Sequence, residues 1–238
     1  MKKRLFKLLK IFFISIAVIV IFLVAILYFS LHKKMPEGTS GDEADTFAMQ
    51  IQKAVHHDQF VNTDYIQWSF RNKNHYVWNK KEGKVTVKWD TYEANLDLQN
   101  ANNSTVTENG VSLESNEKKK LLAKALAYFN NDSFWVVAPH KLFDDGVTRK
   151  IVNLEDGNKG LLVTYSSGGT TPGDSYLWKV DKNYLPTSYQ MWVSLIPIGG
   201  IEASWENWKT TESGAYLSQH HKALGIGIPI SNLRAWNE

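Results

Sequence analysis

The sequence contains no cysteine among its 238 residues. This absence excludes disulfide bonds, thiolate zinc sites, cysteine nucleophiles and a lipid-modified N-terminal cysteine. Stability must therefore come from packing, and residues 35–238 carry 24 aromatic side chains, nine of them tryptophan, as material for a core. A segment of about 200 residues is long enough to form one hydrophobic core.

Residues 11–31 lack charge, glycine and proline over 21 positions. A helix of this length is roughly 31 Å long, which matches a bilayer hydrocarbon core of about 30 Å. Five basic side chains precede it and two lysines follow, so the positive-inside rule predicts one crossing with a cytoplasmic N-terminus. A cleaved secretory signal is the alternative, but its apolar core is usually about 7 to 15 residues long and ends in small residues. This segment ends Tyr28-Phe29-Ser30-Leu31, and we predict an uncleaved anchor.

The remainder of the chain lacks an excess of positive charge. Seven of the 27 Lys and Arg residues lie in residues 1–34, which leaves 20 against 24 Asp and Glu, a net charge of −4. No nucleic-acid partner is predicted from this balance. The predicted organisation is a cytoplasmic N-terminus (1–10), a transmembrane signal-anchor helix (11–31), a linker (32–41) and an extracytoplasmic domain (42–238). Residues 35–41 are rich in Pro, Gly, Thr and Ser, which predicts flexibility.

Hydrophobic residues in the domain follow two different spacings, one typical of helices and one typical of strands. Helical spacing predicts one helix from about Asp42 to His57 and a second from Ser115 to Asn130-Asn131-Asp132. A period of two predicts strands from Tyr65 onward and again across residues 150–230, with turn residues between them. The predicted fold class is α+β, mainly β, in which a large curved antiparallel sheet, a half-barrel of about 10 or 11 strands, packs on two main helices.

Several segments of the domain resemble a family of uncharacterised cell-envelope proteins from Gram-negative bacteria. The segments are YIQWSFR (65–71), HYVW (75–78), VTVKW (85–89), NDSFW (131–135), GVTR (146–149), TPGD (171–174), MW (191–192) and PIGG (197–200). This family is similar in architecture to the lipoprotein carriers of the LolA and LolB type. The resemblance implies an incomplete barrel around helices, with an apolar cavity for acyl chains. The chain departs from the carriers because it has a helical anchor and no cysteine, and no functional residue of the carriers matches a position here.

Six aromatic residues lie on strands that are predicted to be neighbours. They are Trp68, Trp78, Trp89, Tyr165, Trp178 and Trp192. A half-closed sheet encloses volume that two helices need not fill, and these rings are then candidates for the walls of an apolar ligand cavity. The alternative is that the same rings complete a dry core, and the packing volume decides between the two.

Signatures of catalysis are scarce in the sequence. The glycine-rich segment 168–174 lacks the lysine of a phosphate-binding loop and is predicted to be a turn. Neighbours on a strand point to opposite faces, so each of the doublets His56-His57 and His220-His221 could direct at most one imidazole to a shared metal, and both doublets are predicted to be surface histidines. One polar group is the best candidate for a catalytic or head-group-binding constellation: His75, Arg149 and Asp174. We therefore predict no enzyme activity, no catalytic residue, no metal and no cofactor.

These patterns predict a membrane-anchored extracytoplasmic binding protein for a lipid or other apolar ligand, acting in lipid or lipoprotein handling. The predicted location is the inner membrane, crossed once, with the C-terminal domain in the periplasm. Expected partners are the bilayer through residues 11–31, an acyl or other apolar ligand, and an envelope protein. Two alternatives stay open: a structural or protein-interaction module with a filled core, and a hydrolase that uses the polar trio.

Overall fold

The computed structural model describes residues 2–238, and it contains four α-helices. They are α1 (Lys2–Leu31), α2 (Asp42–Ala54), α3 (His57–Val61) and α4 (Ser115–Val137), with short 3-10 helices at Ala101–Asn103 and Ala138–His140. Within this described range, α1 is the one helix that is long and apolar enough to span a membrane, over Leu9–Leu31 with a mean hydropathy of 3.2. Three acidic residues in the first turn of α2 favour its N-terminus through the helix dipole.

Fourteen strands form one sheet in which every paired strand is antiparallel to its neighbour. They are β1 (Tyr65–Phe70), β2 (Asn74–Asn79), β3 (Lys84–Trp89), β4 (Tyr92–Asp97), β5 (Thr105–Glu108), β6 (Val111–Ser112), β7 (Val147–Asn153), β8 (Lys159–Tyr165), β9 (Ser175–Val180), β10 (Pro186–Trp192), β11 (Ile201–Ser204), β12 (Glu206–Thr210), β13 (Tyr216–Ala223) and β14 (Ile226–Trp236). Their order is β6-β5-β4-β3-β2-β1-β14-β13-β11-β10-β9-β8-β7, with β12 beside β13. This architecture confirms the predicted α+β, mainly β class.

The sheet is open, and its two edge strands are protected differently. β6 is only two residues long, which leaves little edge for another strand to pair with. β7 is covered by the segment after the anchor, because Thr39 and Ile151 exchange backbone hydrogen bonds of 2.9 and 2.8 Å. The prediction that residues 35–41 are flexible is therefore corrected, because this segment lies against the domain. Gly38 packs closely on β7: a Cβ atom at this position would lie 2.7 Å from the Ile151 carbonyl.

Two helices cover the two halves of the sheet. The apolar side of α4 packs on β1–β5 together with β13 and β14, where Ala125 and Phe129 join the core. The apolar side of α2 packs on β7–β11 through Ala44, Ala48 and Ile51. Trp135 near the end of α4 packs against both groups and joins them. The core is thus continuous from one half of the sheet to the other.

The element boundaries differ from the prediction in several places: the helix predicted from Asp42 to His57 ends at Ala54, for example, and a separate helix α3 begins at His57. The sheet has 14 strands rather than about 11, partly because the predicted strand 201–210 divides at Trp205 into β11 and β12. Helix α4 continues past Asn130-Asn131-Asp132 to Val137, since Asp132 accepts hydrogen bonds from Tyr76 (2.5 Å) and Asn74 (2.8 Å) on β2 instead of ending the helix. A polar side chain that satisfies tertiary partners does not need to terminate a helix.

Candidate binding cleft

Three of the six aromatic candidates belong to the packed core. Trp68 and Trp178 are fully buried and Trp89 is 2% exposed. Trp68 stacks on Tyr76 with ring centroids 4.6 Å apart, and Trp178 stacks on Trp205 at 5.5 Å. Rings at these separations are in contact, so they themselves occupy the space beneath the sheet. The prediction that these three line a ligand cavity is corrected accordingly.

The other three candidates lie in three different places. Tyr165 is part-buried and packs edge-on against Tyr176 at 5.8 Å. Trp192 donates a hydrogen bond of 2.7 Å from its indole nitrogen to the carbonyl of Lys33, next to the end of α1. Trp78 is part-buried and lines an open cleft at one end of the molecule. Of the six, Trp78 is the one that contributes to the walls of this cleft.

The structure does not bring the polar trio together. His75 lies on β2 and Arg149 on β7, with seven strands between them in the sheet, and Asp174 precedes β9. Each member has its own hydrogen-bond partner: Ser69 (2.7 Å) for His75, Asp45 (2.6 Å) for Arg149 and the backbone N–H of Ser194 (2.8 Å) for Asp174. No hydrogen bond joins any two of the trio within residues 2–238. The catalytic use considered for these side chains has no geometric support.

The cleft has a volume of about 690 Å³ and opens between helices α2 and α3, the 3-10 helix Ala138–His140 and the end of β2. Its apolar walls come from Met49, Phe60, Val61, Trp78 and Phe143. Its polar positions are Gln52, His57, Lys80, His140, Lys141 and Asp144. A volume of this size falls within the range of roughly 300 to 1,000 Å³ that small-molecule sites occupy.

Local backbone geometry places the α3 residues in the cleft. His56 adopts a left-handed conformation (φ 56°), which ends α2 and turns the chain into α3. Lys80 then closes the other end of α3, because its ammonium group donates to the carbonyls of Phe60 and Thr63. The same ammonium lies 4.1 Å from the centre of the Phe60 ring. Burial lowers the pKa of Lys80 to about 8, against the opposing effect of the Asp64 charge.

Two histidines flank Phe60 in the cleft. His140 stacks on Phe60 with centroids 4.0 Å apart, and the rings of His57 and His140 lie 5.6 Å apart. Burial, with smaller contributions from His57 and Lys80, holds the pKa of His140 well below 6.5. Burial also lowers the pKa of His57. Both imidazoles are therefore neutral at pH 7 and offer a donor and an acceptor rather than a charge.

Buried nitrogen atoms along this cleft lack protein partners. Among the described residues, Nδ1 of His57 and Nε1 of Trp78 form no hydrogen bond, and the His140 ring forms none of standard geometry, although the backbone of Tyr216 lies close enough to act on its pKa. Buried polar atoms are nearly always hydrogen-bonded, and leaving one unpaired costs about 1 to 3 kcal/mol. Among residues 2–238, six further buried polar atoms without a partner lie outside the cleft, including Nε1 of Trp68 and Nε1 of Trp178, so these four atoms do not by themselves mark a ligand site.

The electrostatics of the cleft are mixed, with cations at the polar side. Lys141 pairs with Asp144, whereas Lys80 binds backbone carbonyls, so the cleft carries one more positive than negative side chain. Within residues 2–238, no three His, Asp or Glu side chains are grouped as a metal site requires. The arrangement suits a molecule with an apolar body against Met49 and Phe143 and a polar or anionic end near Lys80.

The sequence signals for this site were weak. The doublet pattern predicts a surface position for His57, and nothing in the sequence joins Phe60 to His140, which lies 80 positions away. The other doublet shows the same limit, since His221 is fully buried against Trp205 at 4.5 Å. The one usable signal was Pro139-His140 directly after an apolar helix, a position where a chain turns and packs back on itself.

Comparisons with known proteins identify no relative by sequence. No protein-family model matches the chain, and a search of curated proteins found no match. Among solved structures, the chain is similar to a DUF1329 family protein from Desulfovibrio piger ATCC 29098, with a TM-score of 0.41 and 11% identity over 82% of this chain and 93% of that chain. A likeness at this level does not assign the chain to that family, so the function rests on the chain's own residues.

Proposed function

We propose that this protein is a membrane-anchored extracytoplasmic binding protein, and that the cleft between α2, α3 and the 3-10 helix Ala138–His140 holds a lipid or other apolar ligand. The observation that carries the proposal is the cleft of about 690 Å³ itself, in which apolar side chains such as Met49 and Phe143 lie beside the polar side chains of Lys80 and Lys141. The ligand class follows from that combination: an apolar body with a polar or anionic end group. Such a molecule is typical of lipid or lipoprotein handling in the cell envelope.

The anchor fixes where this binding takes place. Helix α1 supports a single crossing, and five basic residues before its apolar part, with two lysines after it, favour a cytoplasmic N-terminus. The domain is then held on the periplasmic side of the inner membrane by an uncleaved helix. Residues 32–41 lie against the domain instead of extending as a stalk, so the domain is held close to the bilayer.

A second candidate is a structural or protein-interaction module of the envelope. The observation in its favour is the filled core, in which Trp68, Tyr76, Trp178 and Tyr189 are at most 1% exposed. A solid half-barrel has no room for a fatty chain between α4 and the sheet. In that case the domain uses its outer surface to recruit a protein, and the cleft takes no lipid.

Photocrosslinking in a bilayer distinguishes the two candidates. The full-length protein in nanodiscs of phosphatidylethanolamine and phosphatidylglycerol is irradiated with palmitic acid that carries a diazirine on its chain. Label on α1, which contacts lipid in any case, serves as the internal reference. The proposal predicts additional label on residues 42–62 and 138–146, and the interaction-module alternative predicts label on α1 alone.

Two matched variants give the test its control. Met49→Glu places a charge on the apolar wall at a helical position that is 53% exposed, and Leu126→Glu makes the same change at a 41% exposed position of α4 outside the cleft. We expect Met49→Glu to lower cleft label relative to α1 label by about fivefold, which corresponds to about 1 kcal/mol. Leu126→Glu should leave the ratio unchanged. Equal ratios in the two variants would count against the cleft as the binding site.

A further inference from the structure

The end of the anchor helix is bound to one loop of the domain. The amide of Lys33 donates to the carbonyl of Gly199 (2.9 Å), and the amide of Gly199 donates to the His32 ring (3.1 Å). The indole N–H of Trp192, at the end of β10, donates a hydrogen bond to the Lys33 carbonyl. A Cβ atom on Gly200 would lie 2.5 Å from the Lys33 side chain, so only glycine permits this approach. The loop of residues 193–200 therefore lies where α1 ends.

This loop exposes apolar surface beside the anchor. Its sequence, Val-Ser-Leu-Ile-Pro-Ile-Gly-Gly, has no charged residue, and Leu195 is 71% exposed. A single exposed aliphatic side chain is common at a protein surface, so the meaning of Leu195 depends on what lies beside it. Its position next to the last residues of α1 gives this exposure a physical reason.

A second apolar projection lies at the same end of the sheet. The turn between β13 and β14 exposes Leu224 (65%) and Ile226 (60%). Strand register places it beside the loop, because β11 follows the loop directly and pairs Ala203 with Ala223. Leu224 has a φ of 49° and Gly225 a φ of 77°, in a turn where asparagine usually takes the first position. A large apolar side chain is therefore exposed at a backbone position that disfavours it.

We propose that the loop 193–200 and the turn 223–226 form a docking surface that inserts into the interface of the bilayer crossed by α1. The proposal rests on the membrane anchoring put forward above. The occupant is lipid rather than protein because the surface is continuous with the end of α1, where the bilayer begins. Lys33, Lys34 and Lys222 flank the apolar side chains, as basic residues do at a membrane interface, where they reach the lipid phosphates.

Docking of this kind fixes the orientation of the domain. The end of α1 and the two apolar projections then give the domain three points of attachment to the membrane. With three points instead of one, the domain does not rotate freely about the anchor. The end of the sheet at which β10 and β13 finish and β11 begins then faces the membrane. The domain is a lipid-facing module whose position is set by its own residues.

The absence of cysteine in the chain makes a direct test available. Single variants Leu195→Cys, Leu224→Cys, Phe22→Cys and Val111→Cys of the full-length protein are labelled with the environment-sensitive fluorophore NBD. The proteins are reconstituted in liposomes of phosphatidylethanolamine and phosphatidylglycerol, with and without lipids that carry a doxyl quencher. Val111 is the matched control, because it is 67% exposed on β6 at the far edge of the sheet, and Phe22 reports on α1 itself.

We expect blue-shifted NBD emission and quenching by shallow doxyl groups at positions 195 and 224, quenching by deep groups at position 22, and neither at position 111. Quenching at 22 with water-like emission at 195 and 224 would overturn docking while leaving the anchor intact. Blue-shifted emission at 195 and 224 without doxyl quenching would also overturn it, since protein would then cover the surface. Loss of quenching at position 22 would remove the anchoring on which docking rests.

Discussion

The imidazole of His140 stacks on the phenyl ring of Phe60, with centroids 4.0 Å apart and ring planes 5° from parallel. This contact joins α3 to the 3-10 helix that follows α4, and it forms part of the cleft wall. His140 is 3% exposed, and its ring forms no hydrogen bond of standard geometry among the described residues. The position of His140 in the cleft wall makes it a test case for separating a structural role from a role in binding.

Replacement of His140 should therefore separate stability from binding. His140→Phe keeps a stacked ring on Phe60 and removes two unpaired buried nitrogens, so we expect the free energy of unfolding to stay constant or rise by about 1 kcal/mol. Diazirine-palmitate label in the cleft should fall about fivefold, since one hydrogen bond to the ligand is lost. Urea titration and crosslinking measure the two effects. Destabilisation with unchanged label would mark His140 as a purely structural residue.

Stability should fall in acid because buried histidines resist protonation. Burial lowers the pKa of His221 from 6.5 to about 4, and its Nδ1 lies 2.8 Å from the Ser204 carbonyl. The neutral His221 of the folded protein contributes its full stabilisation above pH 6.5. As the pH falls towards 4, the free energy of unfolding loses this contribution, about 3 kcal/mol in all. His221→Asn keeps a donor for Ser204 and does not titrate. Urea titrations from pH 7 to 4 should show a shallower decline in this variant, and an equal decline would refute the assignment.

The hydroxyl of Tyr76 should contribute measurably to holding α4 in the half-barrel. It donates a 2.5 Å hydrogen bond to Asp132, whose side chain is buried and whose pKa is raised by that burial. Tyr76→Phe leaves the carboxyl group with fewer donors, so we expect a loss of about 2 kcal/mol in unfolding free energy. Tyr128→Phe removes a hydroxyl from α4 itself, serves as the control and should cost less than about 0.5 kcal/mol. Similar losses in both variants would contradict this role of the bond.

We expect the close packing of Gly38 on β7 to hold residues 35–41 against the domain. A Cβ atom at position 38 would approach the Ile151 carbonyl to 2.7 Å, so Gly38→Val must displace residues 38 and 39 from β7. Hydrogen exchange at the amides of Thr39 and Ile151 should become about tenfold faster, because each donates to the other residue's carbonyl. Thr39→Val changes an exposed side chain and should leave exchange unchanged. Unaltered exchange in Gly38→Val would show that the segment is held elsewhere.

Local patterns in the sequence predicted most elements of the fold. The apolar run of 11–31, the period of two from Tyr65 to Trp89 and the acidic start of α2 each depend on near neighbours, and helices and strands formed there. The end of α4 was misplaced because Asp132 is satisfied by Tyr76, a partner 56 positions away. A local pattern does not contain that information.

The site was less predictable than the fold for the same reason. Whether Trp68 and Trp178 line a cavity or fill a core depends on the volume left by α4 and by neighbouring strands, which no periodicity encodes. The cleft combines Met49, Trp78 and His140, from segments that meet only after the sheet and both helices have packed. Trp78 was identified as a wall residue through its aromatic character alone.

The most direct test of ligand binding in the cleft is native mass spectrometry of the full-length protein released from membrane vesicles. The account predicts a bound adduct with the mass of a fatty acid or lipid, retained in Leu126→Glu and strongly reduced in Met49→Glu. A bare protein mass in the wild type, or the same adduct in both variants, would contradict it.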